Sequence, residues 1–217
     1  MKKYLMIISI FTPALIMFTA CLGLKTEIDI KRNGSGTINM EYRVSNDILA
    51  LGTLSGNENS PPIPIGKEDF ERTFDRIPGI KMTSYSEKTD GDNRLFLIKS
   101  EFDNLEALAG FLDSQNGQIS VERKGGKTIL SIAFEIDDEG IDPDFIPILP
   151  IIFEDYYMDF KITLPNNCEV SYLDANGSAL SALPYGETIA AEKSVEFYSS
   201  MGELFTEGKS STMVISW

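Results

Sequence analysis

The chain has 217 residues, a net charge of −14 and no histidine. Without histidine there is no Ser-His-Asp or Cys-His triad, no imidazole base and no ordinary zinc site. The excess of 33 acidic over 19 basic residues repels phosphate backbones and anionic headgroups, so nucleic acid is a poor partner.

Lys2 and Lys3 come first, followed by an uncharged apolar run from Tyr4 to Phe18 and then Thr19, Ala20 and Cys21. A short basic region, an apolar region and small residues before a cysteine make a secretory leader. A spanning helix needs about 20 apolar residues, and this run is shorter and broken by Pro13. Phe18, Thr19, Ala20 and Cys21 resemble a lipobox. That resemblance implies cleavage before Cys21, a diacylglyceryl group on its thiol and a fatty acid such as palmitate on its amino group. Each buried CH₂ contributes about 0.8 kcal/mol, so several chains hold a domain firmly. Leu22, rather than aspartate, follows the cysteine, which by resemblance to the enterobacterial sorting rule favours an outer membrane. The expected location is the cell membrane or outer membrane, lipid-anchored, facing the periplasm or the exterior. Residues 1–20 are the leader and 21–217 one extracytoplasmic domain, with a possible subdivision into 25–136 and 156–217 linked by 137–155. With Cys21 carrying lipid, Cys168 stands alone, so no intramolecular disulfide forms. No base lies near it in sequence, and the expectation is a buried, inert thiol.

Residues 25–32 alternate with Ile28 and Ile30 on one face. Asn33-Gly34-Ser35-Gly36 turns, and residues 37–44 alternate again through Ile38, Met40, Tyr42 and Val44, which predicts a β-hairpin. No helix follows this glycine-rich turn and no phosphate-loop pattern surrounds it, so a hairpin turn is preferred over a nucleotide site. A short helix through Ile48, Leu49 and Leu51, capped by Ser45 or Asn46, and a proline-rich loop over 52–66 come next. Pro61-Pro62-Ile63-Pro64 reads as a surface loop before it reads as a polyproline ligand. Residues 67–77 are predicted helical: Glu68 and Asp69 suit the N-terminus, and Phe70, Phe74 and Ile77 share a face. Strands are expected at 80–86 and 94–102. Asp103-Asn104-Leu105-Glu106 resembles a capping box that starts a second helix, with Leu105, Leu108, Phe111 and Leu112 inward. A hairpin follows at 118–123 and 127–136. The order from Thr37 to Arg123 is strand, helix, strand, strand, helix, strand. This predicts an α+β fold: an antiparallel sheet with two helices on one face, in ferredoxin-like split βαβ order, plus additional hairpins.

Residues 137–155 are unlike the rest. Asp137, Asp138, Glu139, Asp142 and Asp144 lack the EF-hand order, so a solvated loop is preferred over a calcium site and no metal or cofactor is expected. The run Phe145, Ile146, Ile148, Leu149, Ile151, Ile152 and Phe153, broken by Pro147 and Pro150, cannot form a long regular helix. It either covers an open end of the core, the preferred reading, or is an exposed patch for a ligand or partner. Strands are then expected at 156–164, 168–173, 187–191 and 211–217, with a turn at Asp174-Ala175-Asn176-Gly177. Residues 193–207 are ambiguous between strand and helix.

Ile28-Asp29-Ile30 with Asn33-Gly34-Ser35-Gly36-Thr37-Ile38, Ile162-Thr163-Leu164-Pro165 with Asn176-Gly177, and the closing tryptophan strand together resemble the LppM-like lipoproteins. The resemblance implies a membrane-attached extracytoplasmic α/β domain handling lipid or envelope components, and it brings no catalytic residues. The functional expectation is a lipid-anchored, non-enzymatic binding or interaction module for lipid or another envelope component. A structural or antigenic surface lipoprotein is one alternative. A carboxylate-dependent hydrolase is another, although with so many acids candidate pairs arise everywhere.

Overall fold

The computed structural model describes residues 22–46, 66–112, 119–134, 147, 149–152, 154, 157–200, 202–203 and 210–217. A seven-stranded sheet holds, in spatial order, β10 (Glu187–Ala190), β11 (Ser194–Ser200), β7 (Tyr157–Thr163), β1 (Leu22–Ile30), β2 (Gly36–Ser45), β4 (Asn93–Phe102) and β3 (Ile80–Asp90). A five-stranded sheet holds β5 (Ile119–Lys124), β6 (Lys127–Phe134), β12 (Ser211–Ser216), β8 (Glu169–Asp174) and β9 (Ala179–Leu180). Neighbours pair antiparallel throughout, except that β1 and β7 run parallel. The helices are α1 (Lys67–Asp75), α2 (Leu105–Leu112) and the single turn α3 (Leu149–Ile152).

The first hairpin forms as its alternation dictates. Thr26, Ile28 and Ile30 turn inward beside Ile38 and Val44. Its turn is closed by Asn33, whose Oδ1 accepts from the Ser35 amide at 3.1 Å, and Gly34 takes φ 86. Gly36 is required for a different reason. A Cβ there would lie 2.0 Å from the Asp29 carbonyl oxygen and 2.3 Å from Cζ of Phe102. The β3–β4 hairpin runs further than its polar residues suggest, to a tight turn at Gly91 and Asp92. Arg94 reaches across it to Glu87 at 2.7 Å, and the Tyr85 hydroxyl donates to the same carboxylate at 3.2 Å.

α1 buries Phe70 and Phe74. α2 starts one residue later than a capping box at Asp103 would place it: the Oδ1 of Asn104 accepts from the Ala107 amide at 2.8 Å. Asn104 therefore satisfies an orphan donor of the first turn.

The ferredoxin-like α+β expectation fails, because the protein is mostly β and is built on two sheets. Such a sheet needs the strand after the second helix to pair beside the strand before the first. β2 has no edge left for it. One edge is taken by β4 and the other by β1, its own hairpin partner. A tight turn closes that hairpin at small entropic cost, and β5 pairs instead with β6 in the second sheet. The helices therefore do not cover one face of a single sheet. α1 packs on β3, while α2 lies against β5 as well as β3 and β4.

The two sheets and helices share one core. Ile28, Ile38, Ile162, Val195 and Phe197 of the large sheet lie in the same cluster as Leu130, Ile132, Met213 and Ile215 of the small one. Phe134 and Phe197, with ring centroids 4.7 Å apart, bridge them. The opposite face of the large sheet is largely polar, with Tyr157, Tyr198 and Ile189 as apolar exceptions on the β7, β11 and β10 side. It carries Lys25 near Asp159 at 3.9 Å, Arg43 on Asp90 at 3.2 Å, and the Lys161–Glu196 pair. The ambiguous 193–207 stretch is strand through Ser200.

Candidate functional site

At the end of β11 an open cleft of about 620 Å³ lies between α3, residues 183–186 and the start of the segment after β11. Pro150, Ile151, Leu183, Pro184 and Tyr185 supply its apolar wall, and Glu154, Ser200 and Glu203 its polar groups. Two glycines set its shape. At Gly202 a Cβ would lie 2.5 Å from the Pro150 carbonyl oxygen and 3.1 Å from Cα of Glu154, so the chain passes flush against the α3 segment. Gly186, at φ 66, sits where a Cβ would come within 2.5 Å of the Tyr198 carbonyl oxygen. A non-glycine residue would be strained there and would also clash.

Beneath the cleft, Tyr185 is 5% exposed. Its hydroxyl is hydrogen-bonded to the buried Ser211 hydroxyl and lies 3.4 Å from the Phe134 carbonyl oxygen. Burial pushes the Tyr185 phenol up, and the Ser211 hydrogen bond partly offsets this. The phenol is thus a satisfied structural group tying residues 183–186 to the small sheet. Ser200 Oγ accepts from the Glu203 amide at 3.1 Å, and the Ser199 hydroxyl lies 3.1 Å from Glu203 Oε2. The cleft's polar side chains are the Glu154 and Glu203 carboxylates and the Ser200 hydroxyl, set beside the apolar wall. The cleft is thus open and of mixed polarity, with an apolar rim at Ile151 beside a carboxylate-bearing edge. Among the described residues no group of three metal-ligating side chains occurs.

Of the apolar run singled out in the sequence, Ile151 stands in the cleft wall and is 63% exposed. At that position the run is not core cover but a surface-facing side chain. Leu149 and Ile152 lie in α3. Phe145, Ile146, Ile148 and Phe153 fall outside the described residues, as do the lipobox residues Phe18, Thr19, Ala20 and Cys21. The acidic cluster Asp137 to Asp144, the 48–51 helix and Pro61 to Pro64 also lie outside them. Cys168 is half-buried, its Sγ 3.5 Å from the Ala191 carbonyl oxygen, and burial raises its thiol pKa. The thiol is less buried than expected, but its environment disfavours the reactive thiolate. Leu183, Tyr185, Ser200 and Glu203 were not legible as site residues. They are remote from α3 in the chain, and only Pro184 and Gly186 mark a bend there.

No family model and no characterised protein matches the sequence. Among solved structures, the chain is similar to the NMR structure of the folded domain of LppM from Mycobacterium tuberculosis. The identity is 12% and the TM-score 0.44, over 91% of this chain and 90% of that one. At that score the likeness carries no argument about function. Among the described residues, no helix is long and apolar enough to cross a membrane.

Proposed function

We propose that this protein is a lipid-anchored, extracytoplasmic binding module without enzymatic activity, holding an apolar ligand in the cleft beside α3. The ligand class is a lipid or an apolar segment of another envelope component. The observation that carries the reading is Ile151, a large aliphatic side chain 63% exposed on the rim of a cleft walled by Leu183, Pro150 and Pro184. An exposed aliphatic side chain on the rim of a concave surface offers a contact for an apolar group. The leader and Cys21 in its lipobox supply the attachment.

Mass spectrometry of organic extracts from the purified protein tests this. The expected result is an apolar compound recovered from the natural protein and lost from Ile151→Asp. Equal recovery from both, or none from either, would remove the reading. The carboxylates bordering the cleft are Glu154 and Glu203, and these are the pair a hydrolase acting in this cleft would use.

A further inference from the structure

We propose that the end of the large sheet where β1 begins rests on the membrane surface, with Tyr157 and Tyr198 seated among zwitterionic lipid headgroups. This rests on the lipidation of Cys21 and adds an orientation to it.

Gly23 is two positions on from Cys21, and two residues of chain span at most about 7 Å. A lipid on Cys21 therefore holds the start of β1 close to the headgroup layer, and the side chains at that end select the outer face. At Gly23 that face has no side chain of its own. Its register partner across the parallel pair, Tyr157 on β7, lies over the position: a Cβ there would be 2.5 Å from Tyr157 Cζ. β11 runs back to the same end, and the Tyr198 ring stacks on Tyr157 with centroids 6.1 Å apart. Tyr198 is 53% exposed, and Ile189, on the neighbouring edge strand β10, is 55% exposed. Ile189 pairs with Glu196, so it shares the face that carries Tyr198.

The large exposed hydrophobic side chains among the described residues are Ile151, Ile189 and Tyr198. All belong to the β10–β11 side or to the cleft at the end of β11. Tyrosine has an apolar ring and a polar tip, which suits it to the headgroup boundary. The nearby charges decide which headgroup. Lys25 lies near Glu27 at 3.5 Å and Asp159 at 3.9 Å, Lys161 pairs with Glu196, and Glu187 faces Tyr198 across the strands. The acids outnumber the cations there, so a zwitterionic surface is accepted and an anionic one repelled.

The test uses the full lipidated chain in phosphatidylcholine vesicles that contain lipid brominated near the headgroup end of its acyl chains. The natural protein has one tryptophan, Trp217. It follows the end of β12 away from Ser211 and the cleft. A second protein carries Tyr198→Trp and Trp217→Phe, and Ile189→Trp replaces Tyr198→Trp if that variant does not fold. The expected result is a roughly twofold loss of emission from the introduced tryptophan, since its ring lies within reach of the hydrocarbon boundary. Trp217 in the natural protein should be unaffected, and the quenching should weaken in phosphatidylglycerol vesicles. An acylated chain whose introduced tryptophan is not quenched, or whose Trp217 is quenched instead, overturns the orientation alone. A mature chain whose mass shows no acyl group overturns the anchor and the orientation together.

Discussion

The β2–β4–β3 side of the large sheet and its β7–β11–β10 side bury the same kind of alternating strand under different covers. On the first, α1 arrives from the connection between β2 and β3, so cover and strands are near in the chain. Its Phe70 meets Tyr42 and Phe96 with centroids 6.1 and 5.8 Å apart, and Phe74 stacks on Phe111 of α2 at 5.5 Å. On the second side the cover belongs to the other sheet. Phe134 of β6 meets Phe197 of β11, and Tyr185 packs edge-on against Phe134. Packed rings from helix and strand close the first side, whereas the second borders the open cleft, which lies at the end of β11, between α3 and residues 183–186.

The largest expected effect lies in the closed half. Phe96 is fully buried among Tyr42, Phe70 and Tyr85. Phe96→Ala is expected to cost about 3–5 kcal/mol in urea unfolding, because the surrounding rings cannot collapse into the gap. A loss below about 1 kcal/mol would mean that these rings do not hold the sheet. Leu183→Ala tests the open half. The side chain is 9% exposed and borders the cleft, so truncation is expected to cost about 2 kcal/mol, at the low end for a buried leucine. A cost equal to that of Phe96→Ala would erase the distinction between the two sides. The smallest effect concerns how the helical cover is held. Asn104→Ala is expected to lower stability by about 1 kcal/mol, with Asn104→Asp close to neutral. Thermal unfolding that ranks alanine and aspartate equally there would discount the cap.

Much of the fold was legible in short windows. Ile28 and Ile30 against Ile38 and Val44 marked a hairpin whose faces the structure keeps. Phe70 and Phe74 marked the buried stripe of α1. The cap of α2 was legible to within one residue, because Asp103 and Asn104 are both competent caps and only packing selects between them. The order of elements misled about architecture. It carries no information on which strand edge is already occupied, and the β1–β2 hairpin had removed the edge that a ferredoxin-like sheet requires. The candidate site was legible in part: the proline-broken run drew attention to Ile151, but nothing pointed to Leu183, Tyr185 or Glu203 as its neighbours.

By itself the sequence determined the acidic, histidine-free composition and the position of most strands and of α1 and α2. These properties are local, since turn residues, caps and hydrophobic periodicity act over a few bonds or one helical turn. Only the tertiary structure decided that β1 pairs in parallel with β7, that β5 joins a second sheet, and that α3 meets residues 183–186 across an open cleft. Those choices depend on competition for strand edges and on which apolar faces meet, so they are settled by the whole chain at once.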